Sequence, residues 1–359
     1  MTPTRSPYLL VSYAETNRIF REPYQKYLAA LSLAGLLAMP AFGGEYMLHL
    51  CNLAFLAIIG AIGLNLLSGF CGQISLGHAG FLAIGAYSTV ILVKYVHAPF
   101  WFAVPMSCVF GALLGVVVGL SALRFRGIYL AIVTLAMHYA IVFLLTTYQV
   151  NFASSATAGI MIPTATIGPI VFSGERSWYY FLFLVVVGVV VFALNLVRTR
   201  PGRAWIAIRD RDIAAESLGI DLARYKLLAF MTSSALAALA GSLGAYFSSV
   251  VTIEEFTIDL AISYVAMIIV GGMGSILGSI FGAIFITLLP FVIDYAFEFL
   301  PSTWRYGSTI FGVQVGAVGL CIIGFLLFEP KGLAEIYRNI AVYFERWPFR
   351  YRQLQQERR

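Results

Sequence analysis

RTRPGRAWIAIRDRDIAAESLGIDLARYK, residues 198–226, decides how the rest of the chain is read. Apolar blocks of bilayer length, roughly 20 residues, lie on both sides of it. The stretch itself carries Arg198, Arg200, Arg203, Arg209, Arg211, Arg224 and Lys226, with Asp210, Asp212, Glu216 and Asp221 among them. Each charge at a bilayer centre costs about 2.5–3.5 kcal/mol, so the stretch lies outside lipid. Pro201-Gly202 interrupts whatever precedes it. Ala204 to Leu218 is rich in helix formers, and Gly219 stands where a helix stops. The expectation is one short helix inside a cytoplasmic loop, residues 199–226.

Outward from that loop, the composition is that of a membrane protein. Of 359 residues, 60% are hydrophobic and 11% charged, with a mean hydropathy of +0.87. Soluble domains are nearer 25% charged. The density of apolar blocks points to one membrane domain, residues 27–329, without an appended soluble one. The net charge of +6 is not a nucleic-acid footprint. All but Lys94, Arg176 and Arg305 of the 23 lysines and arginines fall on one side of the expected topology. That is the positive-inside bias, and no basic soluble module exists to bind nucleic acid.

Ordered along the chain, residues 1–26 form a cytoplasmic lead without a signal-peptide pattern. Spans are expected over Tyr27–Phe42, Tyr46–Leu67, Phe81–Val96, Phe102–Leu123, Ile128–Tyr148, Trp178–Val197, Leu227–Val250 and Tyr306–Phe328. Ala261–Val270 and Ile276–Pro290, flanking Gly271-Gly272-Met273-Gly274-Ser275, read either as two short elements meeting near the inner side or as one re-entrant hairpin. The fold class is therefore all-α: a polytopic helical protein of about ten apolar elements, eight full and two short or re-entrant. Both termini are placed in the cytoplasm, the C-terminal one on a basic tail over residues 330–359. The longest outer loop, 149–177, is rich in Gly, Pro, Ser and Thr, either a flexible cover or a simple connector.

Two stretches combine polarity and glycine at membrane depth. The first, Asn65 to Gly80, has no formal charge but holds Asn65, Ser68, Gln73, Ser75, Gly77, His78 and Gly80. The second holds Gly271, Gly272 and Gly274. Such backbone is tolerated in a bilayer only where protein or a water-filled path covers it. These ten residues are the candidates for lining a translocation path. Close helix packing through small residues stands beside that reading. The two breaks also resemble each other in glycine spacing, as the halves of transporters do.

What is missing narrows the chemistry. Lys26, Lys94, Lys226 and Lys331 follow Gln25, Val93, Tyr225 and Pro330, so GxxxxGK[ST], the loop that cradles ATP phosphates, does not occur. GxSxG, HExxH and CxxC are absent too, which removes the common hydrolase, metalloprotease and thiol-metal patterns. No acid or base sits securely at mid-bilayer, against ion-coupled transport. A passive path then needs energy from elsewhere, and the 199–226 loop is where it would arrive. A stand-alone channel or carrier, and a membrane-embedded enzyme, are the alternatives; the enzyme would need a convergent set of titratable groups.

At these residues the chain resembles a known family. Ile213-Ala214-Ala215-Glu216-Ser217-Leu218-Gly219 is similar to the Glu-Ala-Ala-x-x-x-Gly loop of ABC-importer permeases, with Ile213, preceded by Asp212, where the pattern has Glu. Ser68–Tyr87, Arg124–Ala136, Gly202–Phe230 and Ile269–Ala283 together resemble the LivM branch of branched-chain amino acid permeases. The resemblance implies a permease that is not itself an enzyme. It implies a second, LivH-like permease, two LivG/LivF-like ATPases that hold ATP and Mg, and a periplasmic binding protein. It places the chain in the bacterial inner membrane among lipids, with no cofactor or metal of its own. It marks Arg203, Arg209, Asp210, Arg211, Asp212, Ala214, Ala215, Glu216 and Gly219 as the ATPase-coupling positions. The solute it implies is a branched-chain or related amino acid, with urea, amides and aromatic acids as alternatives and the urea permeases as nearest relatives.

Overall fold

A computed structural model describes residues 34–125, 127–152, 159–167, 170–172, 174–297, 307–329 and 332–346. The lead, the first seven residues of the first expected span and the end of the tail lie outside these. Helix α1 covers 34–42, and α2 follows as Glu45–Leu64, continuing into a π-helical turn over Asn65–Phe70. Then come α3 His78–Val96, α4 Phe100–Ala122, α5 Ile128–Phe152 and α6 Glu175–Arg198. The loop holds two helices, α7 Arg200–Asp210 and α8 Asp212–Ser217. Next are α9 Leu222–Ser248, α10 Ile258–Gly271, α11 Ile276–Phe297, α12 Gly307–Phe328 and α13 Gly332–Arg346.

Among the described residues, seven helices are long and apolar enough to cross a membrane, or eight if α12 and α13, bent by 52°, count as one span. The protein is a multi-pass, all-α membrane protein. The span boundaries differ from expectation in instructive ways. Asp221 caps α9 by accepting from Arg224 N at 3.1 Å, so Arg224 and Lys226 belong to its first turns and not to the loop. The 261–290 region is two helices, but only one is short. α10 has 14 residues, about 21 Å at 1.5 Å per residue; α11 has 22 and runs through Pro290. The basic tail contains α13, whose Leu333, Ile336, Tyr337 and Ile340 line an apolar groove with α11. That i, i+3, i+4, i+7 spacing was readable as an amphipathic helix.

α2 and α9 form the centre. In α2, 89% of the most apolar window is buried, against 28% for α5 and α6, so the first is surrounded by protein and the others face outward. α9 packs on α2, α3 and α4 through Ala237, Ala238, Ala240, Gly241, Ser242 and Ala245, all buried. With lipid as apolar as the side chains, helices associate by close packing, and small residues permit it. A Cβ on Gly241 would collide with the Leu82 carbonyl of α3, and one on Gly85 with the Ala238 carbonyl of α9. Thr89 and Ser242 hydrogen-bond across the same crossing at 2.6 Å.

The described part of the 149–177 loop is pinned by short strand pairs. Ile160–Met161 pairs antiparallel with Val250–Val251, and Thr166–Ile167 with Ile170–Val171. Phe172 brings the loop into an aromatic cluster with Phe100, Trp178 and Phe181, at centroid distances of 5.2–6.1 Å. At the same end Glu175 ties α6 to α2, accepting from Asn52 Nδ2 at 2.8 Å and lying 3.0 Å from His49 Nδ1.

Candidate functional site

The charged loop folds into a shelf of two helices. α6 stops at Arg198, Thr199 turns the backbone extended, and Pro201 sits in the first turn of α7, where its missing N–H costs nothing. Gly202 lets α7 lie directly on the Val197 backbone. Arg203 closes the elbow by donating to the Arg198 carbonyl at 2.7 Å. Trp205 is fully buried, and its indole N–H donates to the Tyr225 carbonyl at 2.8 Å. Ile208 is buried beside it. These contacts fasten α7 to the start of α9.

Arg211, with φ −159° and ψ 108°, splits what was expected as one helix into α7 and α8. α8 ends where Gly219 takes φ +83° and Ile220 N bonds back to the Ala215 carbonyl at 3.1 Å. This is the glycine-terminated closure typical of helix ends. Any Cβ there is strained by about 1–2 kcal/mol. Gly219→Ala is expected to lower the thermal midpoint of the detergent-purified protein by a few degrees and to speed cleavage at the end of α8 in limited proteolysis. An unchanged cleavage rate contradicts the assignment.

The two alanines of α8 face opposite ways. Ala215 is buried at 2% exposure against this chain's own core. Its side chain therefore packs inside this chain, while both alanines stood among the expected coupling positions. Ala214 is exposed, as are Asp210, Arg211 and Glu216. Asp212 Oδ2 lies 3.9 Å from Nζ of Lys226, which is buried. The face presented outward carries two large apolar side chains, Ile213 at 70% and Leu218 at 82% exposure. Neither stood among the expected coupling positions; the available signal was that Ile213 directly precedes the two alanines and Leu218 directly precedes Gly219.

Beneath the shelf the two glycine-rich breaks meet. Asn65 in the π-turn of α2 donates from Nδ2 to the Ser275 carbonyl at 2.8 Å and to Ser279 Oγ at 2.6 Å. Its Oδ1 accepts from Gly274 N at 2.9 Å. Gly69 leaves room for this: a Cβ there would collide with Asn65 Oδ1 and stand 2.6 Å from Gly274 N. Arg209 crosses above both breaks. Its Cα would be 3.2 Å from a Cβ on Gly72, and its guanidinium occupies the space a Cβ on Gly274 would need. A cleft of about 590 Å³ opens beside it, lined by Gly72, Gln73, Arg209, Asp212 and Lys226 among others.

A family model for the permease component of branched-chain amino acid transport systems matches residues 46–328, from α2 through α12. The chain belongs to this family. The permease is 31% identical over 337 residues to the high-affinity branched-chain amino acid transport system permease protein LivM of Escherichia coli K12. That alignment covers 88% of this chain and 76% of the relative, and the LivM of Salmonella typhimurium LT2 gives the same figures. A probable LivH permease of Methanocaldococcus jannaschii is 25% identical over 290 residues, covering 78% of this chain and 89% of that one. No solved structure matches the chain.

The remaining polar candidates of the permease are packed joints. His78 places Nε2 3.0 Å from the Gly60 carbonyl and sets its ring edge-on to Tyr264 at 5.0 Å. Ser75 Oγ accepts from Gly77 N at 3.3 Å, and a Cβ on Gly77 would stand 2.6 Å from the Thr134 carbonyl of α5. Ser68 Oγ donates to the Gln73 carbonyl at 2.9 Å, and Gln73 Nε2 to the Cys71 carbonyl at 3.4 Å. Gly80 abuts His138. Gly271 lies against the Gly278 backbone, and Gly272 faces Gly332 at the start of α13. Within this chain, then, the structure joins Asn65, Gly274 and Arg209, sets His78, Gly77, Gly80, Gly271 and Gly272 against other elements, and bonds Ser68, Gln73 and Ser75 within their own break. Ser275, Ser279, Gly69 and Gly72 complete the joint; they stood in the same glycine-rich stretches without being singled out.

Proposed function

We propose that this chain is one of two permease subunits of an ABC importer for branched-chain or related amino acids in the bacterial inner membrane. A LivH-like permease supplies the other half of the path. Two LivG/LivF-like ATPases, which hold ATP and Mg, dock on the shelf, and a periplasmic binding protein delivers solute at the opposite face. The observation that carries this reading is the outward face of α8. An exposed Ile213–Ala214–Leu218 surface on a helix anchored by Ala215 is unfavourable in water and suits a protein partner. Burial of Asn65, Gln73, Ser75 and His78 inside the chain supports a path formed between two permeases, not through one. Membership in the family and the relatives' names support the solute class.

The test is purification in mild detergent with the neighbouring transport proteins, then reconstitution into liposomes. Recovery of a second permease and two ATPases, with ATP-dependent uptake of leucine, isoleucine or valine, is the expected outcome. Titrating the binding protein with those amino acids, then urea, amides and aromatic acids, separates the solutes. Uptake by the lone chain without ATPases overturns the importer reading.

A further inference from the structure

We propose that Asn65 is the positioning residue through which movement of the shelf reaches the membrane helices; this rests on the importer reading above. The argument starts from the number of separate segments that meet at one side chain. Asn65 spends both amide hydrogens and one carbonyl acceptor on the α10–α11 turn, at 2.6–2.9 Å, with partners 209–214 residues further along the chain. An asparagine side chain has two donors and an acceptor oxygen, so its donors are fully used on one target. Because the groups are buried, each bond is favoured over the unpaired alternative and the pairing is specific.

The consequence is mechanical. α2 ends in a π-turn, a local widening of the helix that occurs often at functional positions. The α10–α11 turn depends on left-handed backbone at Gly272 and Gly274. Each is a joint able to bend. Asn65 makes them one body, and Arg209 lies across that body with its stem over Gly72 and its guanidinium over Gly274. α7, which carries Arg209, is itself fastened to α9 through Trp205. A push on α8 from an ATPase therefore passes through α7 to a single clasp that holds α2, α10 and α11. Without Asn65 α2 still packs on α10 and α11, but the two joints lose their directional link, and nucleotide-driven closure no longer sets the state of the path.

The experiment uses the reconstituted complex of this permease with its partner permease, ATPases and binding protein. ATP hydrolysis and solute uptake are measured together, with the amount of ATPase retained by each variant. In Asn65→Ala the complex assembles and hydrolyses ATP, while solute moved per ATP falls about tenfold or more, within the range of coupling between protein sites. Ser279→Ala, a smaller change in case the first variant fails to assemble, removes one of the three Asn65 bonds along with the bond to the Ser275 carbonyl and lowers the ratio about fivefold. An unchanged ratio in a variant that assembles overturns the proposal. So does a parallel fall in uptake and hydrolysis, or loss of ATPase from both variants, since either marks a residue needed only for folding. A wild-type chain that retains no ATPases defeats the importer reading itself, and does so before any variant is compared.

Discussion

Replacing Ile213 and Leu218 together by aspartate is expected to abolish ATP-driven uptake while leaving the membrane domain folded. Both side chains project from the shelf, at 70% and 82% exposure. Surface substitutions of this kind shift stability by only about 0.5 kcal/mol. At an interface the balance reverses. Burying a Leu or Ile side chain stabilises an association by about 1.5–3 kcal/mol. The double variant forfeits two such contributions and sets two carboxylates against a desolvating surface. ATPase affinity should fall by at least about two orders of magnitude, at 1.4 kcal/mol per decade. Ala215→Glu gives a contrasting result. Ala215 is buried against the chain's own core, so a carboxylate there displaces α8 and lowers the thermal midpoint of the isolated permease. Quantitative pull-down of the ATPases, paired with thermal melts in detergent, reads both effects. ATPase capture by the double variant within threefold of wild type rules out this face as the docking surface.

Gly241→Leu is expected to eliminate folded protein. α9 is the central packing element, and at Gly241 its backbone lies so close to the Leu82 carbonyl of α3 that even a methyl group would collide with it. The obstacle is main chain, which cannot rotate aside as a side chain can. Overpacking in a close-packed interior costs about 1–3 kcal/mol when side chains yield, and more where two helices must separate. Separation here also breaks the Thr89–Ser242 bond and the mirrored contact of Gly85 with Ala238. Gly244 is the matched control. It lies on the same helix three residues later, and a Cβ there meets only Leu56 Cδ1, at 4.0 Å. Gly244→Ala should accumulate in membranes like the wild type, while Gly241→Leu is degraded or recovered as aggregate. Equal amounts of monodisperse protein from the two variants contradict the packing described.

Much of this was legible from residue order. The apolar blocks of bilayer length marked the long helices, because the penalty per charge keeps such blocks nearly free of charge. Pro201 and Gly219 marked the loop's helix boundaries correctly, because each acts through its own backbone geometry: Pro201 stands in the first turn of α7, and Gly219 has φ +83°. What escaped was relational. The extended backbone at Arg211 that divides α7 from α8 has no breaker residue, and follows from Trp205 being held by Tyr225 and Lys226 lying near Asp212. The start of α9 at Leu222 was hidden by Arg224 and Lys226, charges that marked the sequence as loop.

By itself, residue order determined a polytopic helical membrane protein and the blocks that mark its family. These properties sum over single residues or short windows, so no knowledge of partners is needed. Only the tertiary structure decided which of the two alanines of α8 turns inward, that His78 is spent on the Gly60 carbonyl, and that breaks some 200 residues apart share one asparagine. Each of those depends on what lies across a helix interface. In a chain this uniformly apolar, hydropathy is nearly the same on every face, and steric fit between small residues chooses the neighbours.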